Sequence, residues 1–262
     1  MIIGKVLSIL LIFLASWAGW RLKSLTKSGA AAAVATGFAI FSGAGPEGLI
    51  LLGAFFVTSS LWSKFNGVKK VSIEEKLAKG SRRDWRQVAA NGGPGALCSL
   101  LFLATSDPIW LICFAVAIAS ANSDTWASEI GSLSKREPVS IINMKRAERG
   151  TSGAVSSLGT VAAICGAALI SILAVILFEL TPAYGIVIFA FGFFGNMLDT
   201  IMGAFFQALY RCKACGIETE KAFHCGNKTI KIKGIAVLDN DMVNFLSGLM
   251  AAWATFILLA FK

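Results

Sequence analysis

Three polar stretches, each beside or inside an apolar run, hold the residues whose types and spacing suit chemistry. Ser123-Asp124-Thr125-Trp126-Ala127-Ser128-Glu129 closes one run, Gly195-Asn196-Met197-Leu198-Asp199-Thr200 interrupts a second, and Leu238-Asp239-Asn240-Asp241-Met242-Val243-Asn244 precedes a third. Oxygen-rich sets of this kind suit Mg²⁺, which keeps several waters and is usually held by one or two carboxylates that also face substrate phosphates. Asp124, Asp199 and Asp239 are the candidate Mg²⁺ ligands, and Glu129 and Asp241 complete the candidate catalytic acids. On a helix Asp124 and Glu129 point to neighbouring sides, with Ser128 on the face of Asp124. Leaving Asp199 ionised in hydrocarbon costs several kcal/mol, so it demands a partner. Gly195, Asp199, Gly203 and Gln207 recur every four residues and give that carboxylate a face with little bulk. The plainer readings are solvent-facing helix ends for Asp124 and Glu129, small-residue packing around Asp199, and an N-cap at Asp239 or Asn240.

A cationic stretch complements the acids. Lys145-Arg146-Ala147-Glu148-Arg149-Gly150-Thr151-Ser152-Gly153 stands directly ahead of another apolar run. Thr151 or Ser152 is placed to cap the following helix, whose free N–H groups favour an anion, and Lys145, Arg146 and Arg149 add charge and bidentate donors. The segment is not a Walker A loop, and a helix cap beside topology-setting cations explains it equally. A different chemistry belongs to Cys212-Lys213-Ala214-Cys215-Gly216 and His224-Cys225, which fall in one hydrophilic segment with the chain's single histidine. Cys-x-x-Cys-Gly is half of a zinc knuckle, whereas adjacent His224 and Cys225 fit one tetrahedron awkwardly. Zn²⁺ on Cys212, Cys215, His224 and Cys225 and a reduced loop without metal are both open. Cys98, Cys113 and Cys165 lie in apolar runs and read as small packing residues.

The elements that must position these groups are membrane spans. With 56% hydrophobic residues, 15% charged and a mean hydropathy of +0.71, the chain has too little polar surface for a soluble globule. Hydropathy predicts an all-α, polytopic integral membrane domain over residues 1–262. About eight transmembrane helices follow: Ile2 to Trp20, Gly29 to Phe41, Leu49 to Trp62, Pro94 to Thr105, Pro108 to Ala121, Gly153 to Leu177, Ile186 to Tyr210 and Met242 to Phe261. Met1 to Trp20 runs into Arg21-Leu22-Lys23 with no convincing cleavage site, so it is expected to stay as the first span.

Twenty-two of the 24 Lys and Arg residues fall in four connectors, Arg21 to Lys27, Lys64 to Arg86, Lys135 to Arg149 and Arg211 to Lys233. The intervening turns carry only Glu47, Asp107 and Glu179 as charges. The positive-inside rule therefore puts every basic connector and the candidate active face in the cytosol of a cell-membrane protein, with both termini outside. Residues 208–239 form a cytoplasmic loop carrying the candidate zinc insertion. The net charge of +9 is spread over these loops with no stripe of stacking aromatics, which argues against nucleic acid. Glu74-Glu75-Lys76 and Arg82 to Arg86 suit an interfacial helix with Trp85 at headgroup depth. Asn91-Gly92-Gly93-Pro94-Gly95 is expected to break any helix leading into the short fourth span, either capping a cavity or starting the span at the interface.

Taken in order, Ser123-Asp124-Thr125-Trp126-Ala127-Ser128-Glu129-Ile130-Gly131, Arg149-Gly150-Thr151-Ser152-Gly153 with Gly159-Thr160, Gly195-Asn196 to Asp199 and Leu238-Asp239-Asn240 resemble the membrane family that includes the plant phytyl-phosphate kinase of tocopherol synthesis. The resemblance spans nearly the whole chain. It implies an enzyme that phosphorylates a prenyl monophosphate to the diphosphate with a nucleotide donor, CTP being the expected one. The Cys-x-x-Cys-Gly loop and the absence of a transit peptide point to a bacterial-type member. The same positions are more distantly similar to dolichol and phytol kinases and CDP-diacylglycerol synthases, from which the chain departs at Asn196, at Asp199 and before Thr151. A cytidylyltransferase making a CDP-lipid is one alternative; a transporter or flippase is another, favoured by broken spans and a buried acid. The expected partners are a membrane lipid or prenyl phosphate and a nucleotide; the lipid, the donor and the oligomeric state stay open.

Overall fold

The computed structural model describes residues 2–65 and 78–261, and Glu74, Glu75 and Lys76 of the expected interfacial helix lie outside them. Seven helices among the described residues are long and apolar enough to cross a membrane. They are α1 (Ile2–Arg21), α2 (Lys27–Lys64), α3 (Trp85–Thr105), α4 (Ile109–Gly131), α5 (Ser157–Leu177), α6 (Pro182–Phe205) and α7 (Asn240–Ala260). The protein is a multi-pass integral membrane protein.

Eight crossing segments nonetheless match the hydropathy, because α2 folds back on itself. Gly45 leaves helical geometry at φ 66°, ψ −162°, immediately before Pro46. Residues 40 and 48 lie about 12 Å apart along a straight helix. Here a Cβ on Gly48 would stand 3.0 Å from Ile40 Cγ2. At the other end Lys64 Nζ donates to Leu22 O at 2.7 Å, so both ends of α2 reach one face of the bundle. The two legs, 27–44 and 46–64, are the second and third predicted spans.

The expected break at 91–95 does not occur. Helix α3 runs through Pro94 from a capping box in which Asp84 accepts from Gln87 N and the Gln87 side chain accepts from Asp84 N. This makes the fourth span 21 residues long and sets Trp85 in its first turn, exposed, with no helix over residues 78–84. The glycines here serve close packing: a Cβ would stand 2.9 Å from Thr36 Cγ2 at Gly92, 3.2 Å from Phe245 at Gly93 and 2.9 Å from Ile118 at Gly95. Proline is tolerated inside a span when neighbouring helices enclose it, and Pro94 is buried.

Helix α4 is the axis. Residues 112–123 are buried without interruption, and α2, α3, α5, α6 and α7 all pack on it. The connectors gather at one end and add short strands. β1 (Val139–Ser140) pairs with β2 (Ala154–Val155); β3 (Leu209–Arg211) lies between β4 (Glu218–Thr219) and β7 (Ile230–Lys233); β5 (Phe223–His224) and β6 (Asn227–Lys228) form a hairpin. Because β2 intervenes, α5 starts later than expected, and its N-cap is Ser156, which accepts from Gly159 N at 3.1 Å, rather than Thr151 or Ser152. Cys98 and Cys113 are buried as expected, while Cys165 is exposed on α5.

Close backbone approach gives a direct test. A Cβ on Gly43 would fall 1.9 Å from Ser99 O, whereas Gly53 has nothing within 4 Å. Gly43→Ala is expected to cost about 1–3 kcal/mol, as overpacking does. Gly53→Ala should be neutral or slightly stabilising, since glycine disfavours helix interiors. Thermal unfolding midpoints in detergent separate the two.

Candidate functional site

Several separate segments of the chain meet in a polar cavity of about 360 Å³ at the connector end of the bundle. Its geometry starts from α4 and α6, which both run toward that end. A Cβ on Gly195 would stand 2.1 Å from Ser120 Oγ, so the two helices touch there. Asp124 and Asp199 each lie one turn further along, which brings both carboxylates to the same cavity, where like charges repel. The small face of α6 is used as its spacing predicts. Gly195 admits Ser120, and Gly203 would place a Cβ 2.6 Å from Ser152 Oγ.

Asp199 finds neutral hydrogen-bond donors on the first turns of α7. Ser247 Oγ donates to Asp199 Oδ2 at 3.2 Å. The Asn244 amide, oriented so that both its atoms are satisfied, donates to the same oxygen at 2.8 Å and to Asn240 O at 3.1 Å. Among the described residues neither Asp124 nor Asp199 forms an ion pair. Their oxygens are hard donors at the edge of a cavity that also admits water-sized groups, and this set fits Mg²⁺ in place of a protein cation.

Asp239 and Asp241 are differently placed. Asp239 Oδ1 caps α7 by accepting from Met242 N at 3.1 Å, and its Oδ2 takes Arg86 at 2.7 Å. Asp241 accepts from Lys79, with Arg86 Nε at 3.8 Å. Both line the cavity, but Asp241 is tied to Lys79 of the connector ahead of α3 and Asp239 to Arg86 in the first turn of α3. Glu129 lies on the wall, where Ser63 Oγ donates to it. Arg83 donates to Ser60 Oγ at 2.9 Å and packs over Phe56. Burial lowers the Arg83 pKa while the Glu129 charge opposes that shift, so the guanidinium remains a cation.

Arg149, Gly150, Thr151, Ser152 and Gly153 line the cavity, together with the first turn of α5. Gly150 and Gly153 have φ of 81° and 78°, conformations that glycine takes without strain. Arg149 donates to Lys135 O at 3.3 Å. Lys145 and Arg146 are not brought to the cavity; they are exposed beyond β1, where Arg146 bridges to Val139.

Several lining residues escaped sequence reading. Glu220 reaches in from the 206–239 connector, where its Oε1 accepts from Gln207 Nε2 at 2.6 Å and its Oε2 from Ala78 N at 3.2 Å. Gln207 Oε1 in turn accepts from Ser152 Oγ at 2.8 Å. No local pattern marks Glu220 beyond its lying between the cysteine pair and the histidine. Lys79 and Arg83 were equally unmarked as site residues, since their partners are distant in sequence, whereas Asn244 belongs to the third oxygen-rich stretch.

The Cys/His residues meet as well, in the same connector but outside the cavity lining. The four donor atoms of Cys212, Cys215, His224 and Cys225 lie within 4.8 Å of one another. The adjacency of His224 and Cys225 is resolved by the β5–β6 hairpin, where Cys225 and Gly226 both have positive φ, 50° and 71°. A hydrogen bond from the Cys215 backbone, against the effect of burial, brings the Cys212 thiol down to about 6. Hydrogen bonding with the Cys215 side chain pushes Cys225 up to about 11.

A multi-pass bundle whose axial helix and one neighbour carry carboxylates into a cavity at the connector end defines a class of membrane protein built around a polar, one-ended site. The chain belongs to a family within that class, the DUF92 integral membrane proteins, whose model matches residues 10–252. It is similar to Protein PGR of Arabidopsis thaliana, 27% identical and spanning 95% of this chain and 94% of that one. It is 34% identical to the uncharacterized membrane protein MJ0933 of Methanocaldococcus jannaschii, over 79% of this chain and 84% of the other. Similarity to the chloroplastic Protein VTE6 of Arabidopsis thaliana, 27% identical, covers 70% of this chain and 56% of that one. These relatives bear out the resemblance to the family that contains the phytyl-phosphate kinase. No solved structure matches the chain significantly.

Burial pushes the Glu220 carboxyl above its ordinary value of 4.5. A carboxyl whose folded pKa is raised binds more protons folded than unfolded, so its contribution to stability is full below 4.5 and is lost as pH rises through the folded value. Glu220→Gln is therefore expected to flatten the decline of the unfolding midpoint above pH 4.5, measured in detergent across a pH series.

Proposed function

We propose that the protein is a membrane-embedded phosphotransferase acting on a prenyl monophosphate, with a nucleoside triphosphate, CTP foremost, as donor. The observation that carries this reading is that Asp124 and Asp199 line one cavity together with the Arg149–Gly153 loop and the start of α5. That combination suits two phosphates held against a divalent cation. Membership of a family that contains a phytyl-phosphate kinase supports the substrate class.

Arg149, the loop N–H groups and the α5 N-terminus bind and orient phosphate oxygens. Lys79, steadied by Asp241, presents positive charge at the cavity lining, and Arg86, outside that lining, pairs with Asp239. An oxygen of the prenyl phosphate attacks the terminal phosphorus of the nucleotide; the bond to the bridging oxygen breaks, and the nucleoside diphosphate leaves. The acceptor oxygen is already ionised at neutral pH, so no strong base is required, and alignment with charge neutralisation provides most of the rate. Asp124 and Asp199 would hold Mg²⁺, which when bound would supply neutralisation of the phosphate charge. The prenyl tail lies among the spans, and the connector end faces the cytosol by its basic residues.

Incubation of purified protein with phytyl, geranylgeranyl or undecaprenyl monophosphate and each labelled nucleotide tests the reaction. Prenyl diphosphate with nucleoside diphosphate is the expected product; a CDP-lipid with pyrophosphate instead identifies a cytidylyltransferase. Asp199→Asn should lower turnover by at least ~10²-fold with membrane insertion intact, because it removes charge stabilisation in a water-poor site. Near wild-type transfer would remove Asp199 from the site.

Sidedness has its own check. In intact cells an impermeant thiol reagent should label Glu179→Cys and leave Lys135→Cys unlabelled until the membrane is permeabilised. Labelling of Lys135→Cys from outside overturns the orientation.

A further inference from the structure

We infer that Cys212, Cys215, His224 and Cys225 hold a structural Zn²⁺ ion, and that this metal fixes the small β module that delivers Glu220 to the cavity. The donor set is three thiols and one imidazole, the softness and number that a closed tetrahedral zinc site uses. With Zn–S near 2.3 Å and Zn–N near 2.0–2.1 Å, a tetrahedron separates two sulfurs by about 3.8 Å and a sulfur from a nitrogen by about 3.6 Å. The His224 nitrogen already stands near that spacing from two of the sulfurs, and the whole set is gathered around one point. His224 Nδ1 is 3.5 Å from Cys215 Sγ and 3.2 Å from Cys225 Sγ, and all four donor atoms lie within 4.8 Å of one another. Four protein ligands leave no open position for substrate or water, so the ion is structural.

Both ligand pairs are presented by turns shaped for the purpose. The first follows β3, where Gly216 N donates to Cys212 O at 3.0 Å and Cys212 N to Ile217 O at 3.0 Å, closing a tight loop around the metal side. The second is the two-residue loop joining β5 and β6, with His224 paired to Asn227. Between the two pairs runs β4, which ends at Thr219, buried, with Glu220 next in sequence. From there hydrogen bonds continue from Glu220 to Gln207 and from Gln207 to Ser152 of the Arg149–Gly153 loop. Segments this short bury too little apolar surface to hold their own geometry, and a metal crosslink replaces the missing core. Zinc binding is independent of which reaction the cavity performs.

The full chain, purified in detergent without chelator, should contain about one zinc per chain by elemental analysis. Replacement by Co²⁺ should give thiolate-to-metal charge-transfer bands with the intense d–d absorption of a tetrahedral site. Cys212→Ser with Cys215→Ser should lose the metal. His224→Cys should keep it and shift the cobalt spectrum, which guards against loss through misfolding. Trypsin should cut within 211–233 at least ~10-fold faster after chelation, while Glu220→Gln keeps its zinc and its protection. Wild-type protein with no zinc and no cobalt spectrum, or with these cysteines joined in disulfides, overturns the site. Unchanged proteolysis after the metal is removed overturns its role in fixing the module.

Discussion

A helix enclosed on every side must be thin, and that constraint governs this bundle. Five neighbouring helices pack on α4, so wherever two backbones meet, one of them gives up its side chain. Gly192 and Gly195 of α6 meet Ala119 and Ser120; Gly159 and Gly166 of α5 meet Ala127 O and Asn122 O; Gly95 of α3 meets Ile118. Lipid tails are as apolar as leucine, so association within a membrane depends on this contact and on hydrogen bonds between helices. Asn122 supplies the latter, donating to Gly166 O at 2.8 Å and accepting from Thr58 and Ser59. The approach of α4 and α6 that these small residues permit is also what sets Asp124 beside Asp199.

Charge is distributed with the same economy. The acids at the rim of the cavity, Asp239 and Asp241, are matched to Arg86 and Lys79, and Asp84, outside the lining, also pairs with Lys79. The deeper pair is matched by neutral hydrogen-bond donors at Asp199 and by no ion pair among the described residues. Rim pairs are partly solvated, and their mutual attraction is modest; deeper carboxylates facing each other repel through a medium of low polarisability. A cation placed between Asp124 and Asp199 therefore relieves a cost already present in the protein. Asp84 shows the contrast: burial would raise its carboxyl, yet Lys79 and the backbone donors of its capping box hold it below the ordinary carboxylate value.

Asp124 and Asp199 were legible in the sequence because an acid inside an apolar run is conspicuous, and the eight crossings because hydropathy and basic connectors agree. The four-residue recurrence of Gly195, Asp199, Gly203 and Gln207 correctly marked the face of α6 that others approach. Pro94 misled, since proline ends helices in water but is enclosed by packed neighbours here. Thr151 and Ser152 misled as caps because a strand pairing, invisible in local composition, delays α5 to Ser156. Lys79, Arg83 and Glu220 could not be found by pattern: Lys79 meets Asp241 across 162 residues of sequence, and only the fold makes them neighbours.

The far end of the bundle is built from tight turns: a single glycine within α2, residues 106–108 and residues 178–181. The ionisable groups of the cavity consequently sit toward one end of the electrical path across the membrane. Asp124 stands seven residues before the end of α4, a rise of about 10 Å, or roughly a third of a 30 Å hydrocarbon layer. Full passage of one charge is worth about 2.3 kcal/mol per 100 mV, so entry as far as Asp124 couples to about 0.8 kcal/mol of that. An anion entering from the connector end together with its counter-cation carries still less net charge through the field. The membrane potential therefore does little work on whatever this site holds, and its occupancy follows concentrations on one side of the membrane.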